Sequence, residues 1–192
     1  NYPVEYMCAI LTAESGDVEK ISEIVTECKH MGIEVLPPDV NESFEAFTVI
    51  PKGNDVEEKN QKEHRGTIRF GLYTIKNLGG DIGGAIVEER KNGEYKSLVN
   101  FLDRVRHKNV NKKSMESLVK SGAMDKFGTR GKLLANMETI LSYNKELSAV
   151  NKDQISLFGT LPDGDETTKL SLIEAPDATK EEKLAWEKEL LG

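Results

Sequence analysis

The residues best suited to chemistry form a turn: Lys76, Asn77, Leu78, Gly79 and Gly80, within "YTIKNLGGDIGG". Leu72, Ile75 and Leu78 are spaced as the buried side of a short helix, and Ile82 and Ile86 begin a second apolar face after the two glycines. A tight glycine turn between two helices bares backbone N–H groups at the start of the second helix. There the helix dipole favours an anion such as a nucleic-acid phosphate, read by its charge and not by its base. The other reading, that these glycines only turn the chain, stays open at this level. No Gly-Lys-Ser or Gly-Lys-Thr follows a glycine loop, so an ordinary nucleotide phosphate loop is unsupported.

The charge distribution bears on the same question. The chain of 192 residues carries −7 overall, which argues at first against nucleic acid. From Asp103 to Lys132, however, nine Lys or Arg face three acids, a net of +6, whereas from Asp153 to Gly192 four lysines face ten acids, a net of −6. Lys and Arg near phosphates supply most sequence-independent affinity, and the bland alternative is a solvated helical face. Catalytic groups are hard to assemble: no closely spaced carboxylates suited to two magnesium ions, and no nucleophile with its base. Cys8, Cys28, His30, His64 and His107 lack metal-ligand spacing, and the cysteines read as reduced core thiols. The chain alone is expected to perform no chemistry and to bind no metal or cofactor.

A second group stands out at 153 to 159, "DQISLFG", where Ile155, Leu157 and Phe158 lie in polar surroundings. Three large apolar side chains there either dock on their own domain or are offered to a partner.

The elements that must position these groups are mainly α-helical with a small β-hairpin. Apolar spacing predicts the end of a buried helix at Tyr6 to Thr12, then a helix from Val18 with Asp17 as N-cap and Gly32 as terminator. Strands are expected at "IEVL", "AFTVI" and "TIRFGL", the last two paired, with a long polar loop between them. Short helices follow at about 73–76, 82–91, 97–106 and 111–121, a longer one at about 129–146, and a last one at about 180–191. Ser97 and Thr129 are the expected caps, and Gly122 and Gly128 the expected stops. The pairs near 73–91 and 111–145 read as two similar units. Pro, Gly, Asp and Thr make 148–179 a linker. No apolar run approaches the roughly 20 residues that span a bilayer, and no basic flank of a secretory signal opens the chain, so a cytoplasmic protein without a membrane partner is expected.

Long stretches, "NYPVEYMCAILTAESGDVEKISEIVTECKHMGIEVLPPDVNES", "IRFGLYTIKNLGG" and "VNKKSMESLVKSGAMDKFGTRGKLL", closely resemble the alpha subunit of bacterial DNA polymerase III, the C-family replicative polymerase. The resemblance implies a fragment: residues 1–70 as the end of the fingers domain and 71–147 as a tandem helix-hairpin-helix module on duplex DNA. A flexible linker, 148–179, and a helix, 180–192, would lead to an oligonucleotide-binding domain. The family's catalytic aspartates, and the magnesium they hold, belong to an upstream palm domain that nothing here matches, so polymerase activity is the parent's property.

The family's Gly-hydrophobic-Gly turn reads Asn77-Leu78-Gly79 here, and Asn tolerates the positive φ required. Gly83 takes the position of the small residue that follows, and it weakens its helix by about 1 kcal/mol relative to Ala. In the second hairpin, "SGAMDKFGTRG", the implied phosphate contacts are Lys126, Gly128, Thr129 and Arg130, with Lys112 and Lys113 at the helix before it. Gln154, Ile155, Ser156, Leu157 and Phe158 resemble the five-residue motif that binds the sliding clamp, the beta subunit. Other holoenzyme subunits are implied as partners too. Two readings of other classes remain beside this one: a freestanding helix-hairpin-helix repair protein, and a scaffold whose basic zone meets an acidic protein.

Overall fold

A computed structural model describes residues 2–50, 66–107, 109–153 and 170–192, with backbone alone for 147–153. Helix α1 (Pro3–Ala13) starts on a proline, which has no N–H to leave unsatisfied at that position. Helix α2 (Val18–His30) starts where the Asp17 carboxylate accepts the Lys20 N–H at 3.2 Å, and Lys29 and His30 sit at its negative end. Gly32, at φ 71°, then turns the chain into β1 (Ile33–Leu36).

Strand β3 (Gly66–Arg69) is central, parallel to β1 and antiparallel to β2 (Thr48–Ile50). The paired "TVI" and "TIR" strands thus gain a third partner, with Ile33 opposite Gly66 and Val35 opposite Ile68. The sheet turns Ile33 and Ile68 inward against α1 and α2, where Val4, Met7, Leu11, Ile21 and Cys28 are buried.

The helical part begins with a 3₁₀ turn at Leu72–Thr74, followed by α3 (Gly80–Glu89). Helix α4 (Leu98–Arg104) is capped by Ser97, which accepts the Asn100 N–H at 3.1 Å. Helix α5 (Lys112–Lys120) opens on a reciprocal cap in which Asn111 and Ser114 each receive the other's backbone N–H, at 3.1 and 3.0 Å. The helix expected from Thr129 onward is two: α6 (Arg130–Ala135), capped by Thr129, and α7 (Met137–Asp153). They are divided at Asn136, whose amide accepts the Ile173 N–H at 2.8 Å and donates to the Ile173 carbonyl at 2.9 Å.

Residues 170–179 therefore lie on α6, with Leu170 and Leu172 against the core, and α7 runs on to Asp153. The segment read as linker is helical at its start and docked at its end. Helix α8 (Lys180–Leu190) follows, capped by Thr179 and Glu182 reciprocally, and it buries Leu190.

One continuous core runs from α1 to α8. It crosses position 70, the expected end of the first domain, without a gap. Ser43 Oγ donates to the Phe70 carbonyl at 2.7 Å, the Leu72 N–H to Phe44 at 2.8 Å and the Tyr73 N–H to Glu45 at 2.9 Å. Arg90 donates to the carbonyls of Val40 and Ser43 at 3.0 and 2.7 Å, so residues 40–45 are stitched to both sides of the first hairpin.

Candidate nucleic-acid interface

The first hairpin is built around Leu78, which is buried while Lys76, Asn77, Gly79 and Gly80 face solvent. Asn77, at φ 67°, is the one non-glycine residue with positive φ among the described residues, and Gly79 follows at φ 82°. These two left-handed residues reverse the chain in a single step, as an Asn and a Gly can at little cost. Gly79 offers no side chain to cap α3, so the first N–H groups of that ten-residue helix have no side-chain acceptor from the cap. Gly83 is buried, and a Cβ there would meet the Tyr73 ring at 2.9 Å, so close packing of α3 on the preceding turn requires a residue this small.

The segment that leads to Lys112 and Lys113 is tied to this turn. The Asn109 amide donates to the Asp81 carboxylate at 3.2 Å, which ties the approach to α5 to the first turn of α3, and both lysines are exposed just beyond it. Asp81 is the one acid in that turn and is engaged by Asn109. On the far side, a cleft of about 580 Å³ separates the hairpin from the turn before α2; Asp17 and Glu19 line its other wall, where the anion-favouring surface ends.

The second hairpin is different. Lys126 pairs with Glu42 at 2.7 Å and with Asp39 at 3.3 Å. Its ammonium holds the Glu42 carboxyl below the usual range, and Glu42 in turn raises Lys126. Arg130 is 5% exposed. Its guanidinium is divided between Asp125 (3.0 Å), Glu187 of α8 (2.7 Å) and the Lys120 carbonyl (3.0 Å). Burial works against its charge, but Asp125 and Glu187 outweigh that and lift its pKa above the ordinary value. Thr129 is exposed and caps α6, its hydroxyl accepting the Lys132 N–H at 3.4 Å, and Gly128 is half-buried beside Leu133.

Of the expected phosphate contacts, then, the structure leaves Lys76, Asn77, Gly79, Gly80, Lys112 and Lys113 in solvent. It sets Leu78 inside and engages Lys126 and Arg130 with acids of the same chain. Beyond Asp125, the acids come from two places: Glu42 and Asp39 hold Lys126, while in the acidic tail Glu174 pairs with Lys132, Asp177 accepts the Gly131 N–H at 3.2 Å, and Glu187 takes Arg130. The opposed charges of the two zones were the available signal for this; which acid meets which base was not legible. Asn109 and Asn136, which place two of these segments, carry no sequence signal for their partners. Gln154, Ile155, Ser156, Leu157 and Phe158 lie outside the described residues. Among the described residues, no three His, Cys, Asp or Glu side chains converge to hold a metal ion, and no helix is long and apolar enough to cross a membrane.

The model of the helix-hairpin-helix motif family matches residues 32–133. That stretch begins at the strand before the stitched loop 40–45 and ends in α6, so the matched unit includes the whole three-stranded sheet as well as both hairpins. The whole chain is 38% identical to the DNA polymerase III subunit alpha of Thermus aquaticus, 39% to that of Helicobacter pylori and 37% to that of Bacillus subtilis. It spans 14% of the first and 16% of the other two, about one seventh of their length. The chain belongs to the helix-hairpin-helix motif family, and the members it resembles from end to end are segments of DNA polymerase III alpha subunits.

Proposed function

We propose that this chain is a gripping segment of a replicative DNA polymerase alpha subunit, which holds duplex DNA by its backbone without sequence preference and does not itself perform the chemistry. One observation carries the reading: the uncapped start of α3, presented by the Asn77–Gly79 turn with exposed Lys76 before it, is tied by the Asn109–Asp81 bond to the segment that ends in the exposed Lys112 and Lys113. Backbone amides there meet one phosphate and the lysines its neighbours. Pairing within the chain accounts for a DNA-binding role at net charge −7: Asp39 and Glu42 hold Lys126, the docked tail holds Arg130 and Lys132, and the first hairpin's cations stay in solvent.

The rest of the reading extends the likeness to polymerase alpha subunits. The intact parent polymerises DNA with magnesium in a palm domain elsewhere, in the cytoplasm and beside other holoenzyme subunits, and Gln154–Phe158 tethers it to the sliding clamp. In that peptide Leu157 and Phe158 fill an apolar cleft while Gln154 supplies directional hydrogen bonds. Weak binding by the free peptide becomes firm once the polymerase is held on DNA.

The test is a salt titration of duplex binding by fluorescence anisotropy, with the parent chain beside a Lys76→Ala/Lys112→Ala/Lys113→Ala variant. Each phosphate-paired lysine contributes about 0.9 to the slope of log affinity against log salt, so losing three flattens it by about 2.7. Across a fourfold rise in salt the parent loses about 40-fold more affinity than the variant. An unchanged slope sinks the proposed face.

A further inference from the structure

We infer that the second hairpin seats the chain's own residues 170–192, and that Arg130 is thereby a positioning residue for the first hairpin rather than a phosphate contact. This rests on the duplex-binding reading above.

The chain of contacts is continuous. Gly131 lets residues 176–178 lie on the start of α6: a Cβ there would sit 2.1 Å from the Pro176 carbonyl oxygen. Asp177 accepts the Gly131 N–H and pairs with Lys183 at 2.5 Å, which fixes where α8 begins. Arg130 grips α8 at its other end through Glu187. One turn further on, the Leu190 carbonyl accepts the Lys76 N–H at 3.1 Å, in the residue just before the left-handed Asn77. Leu190 and Leu191 are buried, and Gly192 comes against the Val18 carbonyl at the start of α2. Helix α8 is thus a brace between the two hairpins, bolted near its C-terminal end by a buried guanidinium and hydrogen-bonded one turn further on to the phosphate-facing turn. Losing the bolt lets the turn drift, and a misplaced donor loses most of its hydrogen bond.

The decisive variant is Glu187→Gln. It removes a negative charge, so long-range electrostatics alone strengthen DNA binding; a loosened brace weakens it. Expected are about fivefold weaker duplex binding, an unchanged salt slope, and faster hydrogen exchange at the Lys76 and Leu78 amides, which donate to Leu190 and Ile75. Arg130→Ala should act alike, with the double variant no worse than Arg130→Ala alone. Arg130→Lys should not restore binding, because an ammonium cannot reproduce a fork shared among three acceptors. Glu187→Gln binding as tightly as the parent, with exchange at Lys76 and Leu78 unmoved, overturns the proposal. So does a slope reduced by about 0.9 in Arg130→Ala alone, which marks a direct phosphate contact. A parent chain that fails to bind duplex refutes the reading beneath; exchange at Lys76 and Leu78 in Glu187→Gln still decides the positioning. Should Arg130→Ala not fold, Glu187→Gln carries the test, since that side chain is 32% exposed.

Discussion

Gly71→Ala tests whether the strand unit and the hairpins fold as one body. The glycine has φ −81° and ψ 154°, a conformation any residue adopts, so alanine there suffers no backbone strain. The cost is contact: its Cβ would lie 2.4 Å from both the Ala46 carbonyl carbon and the Glu45 carbonyl oxygen. Both are backbone atoms, so residues 45–46 must move away from 71–73. That movement stretches the Leu72–Phe44 and Tyr73–Glu45 hydrogen bonds, now 2.8 and 2.9 Å. Two such bonds contribute about 1 kcal/mol each and overpacking costs about 1–3 kcal/mol, so the expected destabilisation is about 3–5 kcal/mol. At about 2 kcal/mol per molar urea, the midpoint falls by about 1.5–2.5 M.

Unfolding is followed by far-ultraviolet circular dichroism and by the fluorescence of Trp186. That residue is the sole tryptophan and stands in α8, 5.9 Å from the Lys120 ammonium, so it reports the packing of α8 on the second hairpin's helices. Both probes should shift together. Gly80→Ala, whose Cβ would meet only Tyr73 ring atoms at 3.7 and 3.8 Å, should leave the midpoint within about 0.5 M. An unchanged midpoint in Gly71→Ala, or a dichroism transition that shifts while Trp186 stays put, refutes the single-body reasoning.

Tyr95 gives a pH prediction. Burial, only partly opposed by the charge of Arg104, pushes its phenol up to about 12, and its hydroxyl donates to the Ile86 carbonyl at 2.8 Å. The unfolded phenol ionises near 10, so this stability is complete below pH 10 and is lost as pH rises toward 12. Tyr95→Phe should cost about 1 kcal/mol at neutral pH and show a shallower alkaline decline in urea melts; an identical decline rejects the assignment. Burial pushes the thiols of Cys8 and Cys28 up, so a thiol-reactive dye should label them only as fast as the chain unfolds, and rapid labelling without urea contradicts the packing of α1 on α2. For the tether, calorimetry on a bacterial sliding clamp should show micromolar binding by the parent, weakened at least about 100-fold by Leu157→Ala/Phe158→Ala; equal binding by both removes the motif from the proposal.

Local signals were legible wherever they were complete within one turn of chain. Asp17, Ser97 and Thr129 cap helices because a short polar side chain satisfies an N–H two or three residues on. The Asn77-Leu78-Gly79 turn was readable because few residues tolerate its backbone angles, and the apolar spacing of Leu72, Ile75 and Leu78 set its buried side. The parallel pairing of β1 with β3 was not legible, since the partners are more than thirty residues apart and either strand's pattern suits several neighbours. What only tertiary structure decided is the use to which each charge is put. Arg130 and Lys76 look alike in sequence, both cations beside a glycine turn. Folding buries one against Asp125 and Glu187 and leaves the other in water. The difference arises because the tail brings carboxylates to the second hairpin and only the Leu190 backbone carbonyl to the first, and a close approach at Gly131 and a two-way bond at Asn136 fix that return across some forty residues.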